Sequence, residues 1–159
     1  MDRSWNQKFY RALTDATTNA LDHAYIKRTR LPWMERMWWA AGIVSQSAQT
    51  LRFVFWDQGV GIPTTIRRKG LLARLTARAA NDGELIDEAT ERGSSRFRDG
   101  RRGHGLYALI ELIDLAPSGT LDIISGRGRY RYQKGAPNLR EQFPGHVGGT
   151  LIVWTLRKP

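Results

Sequence analysis

The first apolar rhythm in the chain runs from Phe9 to Tyr25, where Leu13, Ala16, Ala20 and Ala24 recur at helical spacing with Leu21 beside them, and it predicts an amphipathic helix. Two runs rich in tryptophan, valine, isoleucine and phenylalanine follow, Met34 to Ser45 and Thr50 to Trp56, with polar Ser-Gln-Ser-Ala-Gln between them; they read as an antiparallel hairpin. Pro63 suits the first turn of a helix reaching about Ala80, with Asn81-Asp82-Gly83 as its stop. The acidic stretch Glu84 to Glu91 then gives way to Arg92 to Gly103, which has the composition of a mobile basic loop. Leu106 to Leu115 is apolar at helical spacing, two strands flank a Ser125-Gly-Arg-Gly128 turn, and Thr150 to Leu156 is a final strand. This order predicts an α+β fold, a two-layer sandwich with helices on one face of a mixed, mostly antiparallel sheet.

The polar positions form patterns of their own. Asp15, Asn19 and His23 share one stripe of the first helix, with Asp22 one turn from Asn19; they either line a cleft against the sheet or form the solvated side of a surface helix. The strand from Leu51 breaks at Asp57 into a turn holding Gly59 and Gly61 before Ile62 and Pro63. Asp-x-Gly commonly ends a strand for backbone reasons alone, yet a carboxylate beside a glycine turn also suits the floor of a nucleotide pocket. Gly103-His104-Gly105 sits directly before a helix, where free N–H groups attract phosphate, although a lone Gly-x-Gly is a weak signal.

Composition narrows the choices. At 159 residues, 41% hydrophobic and with six tryptophans, the chain suits one folded domain, taken as residues 1–159. The absence of cysteine removes disulfides and thiol chemistry, and no apolar run approaches the roughly 18 residues of a membrane span, so no membrane contact and a cytoplasmic location are expected. The net charge of +10 attracts polyanions without choosing among nucleic acid, acidic protein and nucleoside triphosphate. Arg127, Arg129 and Arg131 alternate along one strand face, which keeps a nucleic-acid reading open. Trp33, Trp38 and Trp39 suit either the core or a docking patch for another domain or a second subunit.

Taken in order, Asp15-x3-Asn19-x2-Asp22-His23, Asp57-x-Gly59-x-Gly61-Ile62-Pro63, Gly103-x-Gly105-Leu106 and Gly148-Gly149-Thr150 resemble the N, G1, G2 and terminal-strand motifs of the GHKL ATPases. The superfamily includes gyrase B, MutL, the heat-shock chaperone ATPases, sensor histidine kinases and anti-sigma serine kinases. The resemblance implies a Bergerat-type ATP-binding fold with a mobile lid at about 81–105, and ATP and Mg²⁺ as ligands. It implies that Asn19 holds Mg²⁺, that Asp57 accepts the adenine amino group, and that Gly59 and Gly61 let the backbone approach the purine with Ile62 as an apolar wall. Gly103, His104, Gly105 and Leu106 would meet the triphosphate, the lid arginines would be available to it, and Thr150 would back the adenine pocket.

Asp15 departs from the pattern. Hydrolysing and serine-phosphorylating members usually carry glutamate there as general base, and aspartate is shorter by one methylene, a displacement that costs about 10²-fold. Binding of ATP is therefore the firmer expectation and turnover the weaker. If the chain is complete, the few residues before the first helix are too short for a phosphoacceptor hairpin and Pro159 would leave no room for a transducer domain, so the compact anti-sigma kinase style is the expected match. The expected function is an ATPase or protein-kinase-like module acting on a partner protein or adjacent domain, with a homodimer possible. The alternative is a nucleotide-gated binding module with little turnover.

Overall fold

In the computed structural model, residues 3–25, 37–68, 80–95 and 106–157 are described. Helix α1 (Arg3–Asn19) continues into a π-helical turn, Ala20–Ala24. Strands β1 (Trp38–Ser45) and β2 (Thr50–Asp57) form the expected hairpin. After them come α2 (Ile62–Arg67), α3 (Asp82–Ser95) and α4 (Tyr107–Leu115), then the long strands β3 (Gly119–Gln133) and β4 (Leu139–Arg157). The sheet runs in the order β1-β2-β4-β3, and every pairing among the described residues is antiparallel. The two-layer α+β arrangement read from the sequence is thus observed.

Alternation along the strands decides where the helices sit. In β4, Thr150, Ile152, Trp154 and Leu156 are buried while Leu151, Val153 and Thr155 between them are half-buried, as period-two side chains on a sheet covered on one side must be. Leu121, Ile123 and Phe55 point the same way, and Ala12, Ala16, Ala20 and Ala24 from the first helix close on them with Leu109, Leu112 and Ile113 of α4. Small alanines at i, i+4 let the helix approach closely. Ala12 rather than Leu13 leads this stripe, and Leu21 is exposed.

Three sequence expectations are corrected. Asn81-Asp82-Gly83 starts a helix instead of stopping one: the Glu84 N–H donates to Asn81 Oδ1 at 2.9 Å, and the Asn81 N–H donates to Glu84 Oε2 at 2.9 Å. That reciprocal capping box opens α3. The acidic stretch Glu84 to Glu91 is accordingly a packed helix, with Leu85 and Ile86 fully buried. Ser125 to Gly128 is not a hairpin turn but an irregularity inside one 15-residue strand, where the register shifts and Gly126 takes φ +63°. The expected extent of the Pro63 helix beyond Arg68, and residues 96–105 of the basic loop, lie outside the described residues.

Candidate functional site

Asp57 is the last residue of β2 and lies two positions beyond Phe55, so alternation turns its side chain into the helix-facing layer. It is only 5% exposed. One carboxylate oxygen, Oδ1, accepts the Gly59 N–H at 2.9 Å, the expected Asp-x-Gly turn. Burial pushes its pKa up to about 6, with the backbone N–H groups of Gly59 and Thr150 partly opposing the rise. The result is a fixed, buried acceptor at the mouth of the helix-sheet layer.

Each glycine of the turn answers a close approach. A Cβ on Gly59 would collide with Ala24, whose carbonyl accepts the Val60 N–H at 2.7 Å. Gly61 sits at φ +80°, and a Cβ there would come within 2.7 Å of Ser125 Oγ. The π-helical turn therefore abuts the Asp57 turn through the backbone and methyl group of Ala24, and any side chain on Gly59 would pry them apart. Tyr25 adds a clasp: its hydroxyl donates to the Met37 carbonyl and accepts the Gln58 N–H at 3.2 Å.

Ser125 is the residue that sequence reading missed. It is fully buried, donates to the Gly149 carbonyl at 2.8 Å, accepts the Ile62 N–H at 3.0 Å and lies 3.1 Å from Thr150 Oγ1. One hydroxyl thus joins α2, β3 and β4 behind the turn. Gly149 was read only as part of a terminal motif, yet at φ +78° it packs so tightly on the Asp57 carbonyl that no side chain fits. The Gly-Gly pair before a β-branched strand residue was the available signal. Asp57, Gly59, Gly61, Ile62 and Thr150 are consequently brought together as one constellation.

The helix contributes differently. Asn19 ends α1, and its Nδ2 is buried without a hydrogen-bond partner. An amide nitrogen and oxygen are interchangeable by a flip, so this group can present either a donor or an acceptor. Asp15, one turn earlier, faces the Arg11 guanidinium at 3.8 Å, and Arg11 also approaches Glu111 of α4 at 3.8 Å. Asp22 is exposed. Leu106 immediately precedes α4 and packs on the core, whereas Gly103, His104 and Gly105 lie outside the described residues, as does the His23 side chain.

A second buried acid supports the site from behind. Asp82, at the start of α3, accepts the Arg127 N–H at 2.7 Å and pairs with Arg67 at 2.7 Å. Gly126 and Gly128 leave the space it occupies. The strand irregularity is therefore a seat for the N-terminus of α3. Of the arginines suggested as a nucleic-acid face, Arg129 and Arg131 are bound to Asp122 at 2.9 Å and 2.8 Å, and Arg129 also to Glu141 at 3.0 Å. Arg127 alone of the three is exposed. No helix among the described residues is long and apolar enough to cross a membrane.

No protein-family model and no curated protein matches this chain. Among solved structures, the B subunit of the DNA gyrase from Myxococcus xanthus is similar to it, with a TM-score of 0.46 and 12% identity, over 97% of this chain and 37% of that one. The chain spans well under half of that subunit's length. The site stands on its own geometry and not on that likeness.

Proposed function

We propose that the protein is a Mg²⁺-dependent ATP-binding domain of GHKL type, with a Bergerat-type fold. The observation that carries the reading is Asp57: a buried carboxylate, held at one oxygen by the Gly59 N–H and paired across the sheet with Thr150. A fixed acceptor in such a place selects a base with an exocyclic amino group, because a competitor lacking it leaves the acceptor unpaired. A triphosphate also brings Mg²⁺, and the Asn19 amide, whose buried Nδ2 has no hydrogen-bond partner, fits that need once flipped. Asn19 would hold Mg²⁺ through Oδ1, the remaining ligands being water and phosphate oxygens. Gly103, His104, Gly105 and Leu106 would meet the triphosphate with N–H groups at the start of α4; of the lid expected at about 81–105, only the basic segment beyond α3 would serve, since α3 itself is a packed helix.

Asp15 is the candidate base, and its pairing with Arg11 keeps a cation beside the carboxylate that would have to take a proton. Slow turnover, acting on a partner protein, is the expected behaviour; a binding module gated by nucleotide is the second reading, favoured by the shorter side chain at this position. Calorimetric titration with a non-hydrolysable ATP analogue and Mg²⁺ tests the binding. Wild type should bind at sub-millimolar concentration and Asp57→Asn at least about tenfold more weakly, a loss of roughly 1.4 kcal/mol. No binding by wild type at millimolar nucleotide would sink the reading, and equal binding by both would remove only Asp57. Phosphate release by wild type and Asp15→Ala separates the two function classes, since equal rates take Asp15 out of catalysis.

A further inference from the structure

β1 is the outermost strand of the sheet, and among the described residues nothing pairs with its free edge. Trp38, Trp39, Ile43 and Val44 on it are 41%, 38%, 64% and 52% exposed. Monomeric proteins blunt such edges with lysine, proline or a bulge, because an open row of N–H and C=O groups templates further pairing. β1 has none of these. It pairs with β2 in unbroken register from Trp38 opposite Asp57 to Ser45 opposite Thr50. The whole stretch from Met37 to Leu51 contains no charged residue, in a chain that is 25% charged.

We propose that β1 is a dimerisation strand, pairing antiparallel with β1 of a second copy about a two-fold axis so that two four-stranded sheets become one. Charge decides the occupant. An acidic partner drawn by the net charge of +10 would be met by lysine or arginine, and this edge offers neither. Two like-charged copies instead approach with least repulsion along a strip without charge. The strip is also self-complementary: a two-fold centred on Ala41 keeps each side chain on its own face of the sheet, and sets Trp39 opposite Ile43 of the second copy and Trp38 opposite Val44 of the second copy. The tryptophans are held in place on β2, Trp38 stacked on Phe55 at 5.4 Å between ring centres and Trp39 tilted against Trp56 at 5.1 Å.

Sedimentation of the purified chain over about 1–200 μM tests the proposal, with micromolar association corresponding to roughly 8 kcal/mol. Wild type should be dimeric at the upper end, and Ala41→Lys and Ile43→Glu should each raise the dissociation constant by about 100-fold while keeping a cooperative thermal transition. Raising sodium chloride from about 50 to 500 mM should leave the dimer unchanged or tighten it, since screening relieves repulsion between the copies. A wild type that stays monomeric, a dimer indifferent to both variants, or one dissolved by salt would each overturn the proposal. If the variants fail to fold, hydrogen exchange on wild type decides: the β1 amides must gain protection with protein concentration while those of β3 do not. Asp57→Asn should dimerise as wild type does, so failure of the nucleotide reading and failure of this one remain distinct.

Discussion

At neutral pH the protein keeps Asp57 ionised in surroundings that favour the neutral acid. Its folded pKa of about 6 lies above the ordinary 3.8, so the native state binds this proton more tightly than the unfolded chain does. The associated stability is fully present below pH 4 and is lost as pH rises through 6. Without nucleotide, Asp57→Asn should therefore unfold at higher denaturant than wild type at pH 7.5, by up to about 3 kcal/mol, with the advantage shrinking towards pH 4. Chemical denaturation at the two pH values checks this; an asparagine variant that is weaker at pH 7.5 would contradict it. Analogue affinity should decline below pH 6 for the complementary reason, as the acceptor becomes a protonated acid. Gly149→Ala tests the other side of the turn: strain at φ +78° and collision with the Asp57 carbonyl should cost about 2–4 kcal/mol, seen as a lowered Tm. Asp57 was legible in the sequence because a carboxylate and two glycines follow an apolar strand within a few residues. Ser125 was not, because its partners Ile62 and Gly149 are distant in sequence and a serine beside glycine is the ordinary composition of a turn.

Among the elements, the first helix and the β1–β2 hairpin were readable because a single period dominates each. The errors fell where one local signal serves two structures. Asn-Asp-Gly ends helices and also begins them, and what decided here was Glu84 three residues on, which completes the capping box. Asn81→Ala should remove about 1 kcal/mol from global stability, measured by denaturant titration, while leaving analogue affinity near wild type. A loss much below that would mean the α3 start is held by Asp82 and its partners alone. The Ser125 to Gly128 segment misled in the same way: small flexible residues suit a reversal of the chain, but they equally let one strand yield to the start of α3. No local pattern marks which neighbour will press against them.

Over the whole molecule, net charge proved a poor guide to where cations are free. Asp122 binds both Arg129 and Arg131 on the sheet surface, so charge summed from composition overstates the basic face available to a polyanion. Asp122→Asn should release them: the variant should elute from heparin at higher salt than wild type, and its Tm should fall, since a largely buried acid with paired cations is removed. Unchanged elution would show that these arginines are not what a polyanion meets. The layered fold was legible because amphipathic periods are set by neighbours along the chain; the strand order β1-β2-β4-β3 was not, because it depends on contacts between distant segments.

That strand order bears on how the protein comes into being. β4 is the last element of the described chain to be synthesised, yet it lies between β2 and β3 and supplies Gly149 and Thr150 against Asp57, 92 and 93 positions away. A nascent chain that has emerged only as far as β3 has a hairpin, helices and an unpartnered strand, but the wall behind Asp57 does not yet exist. Assembly of the candidate site around Asp57 is therefore a late, long-range event, and any ligand that needs that wall would recognise only chains whose last strand is in place. It would slow their unfolding without guiding their earlier folding steps.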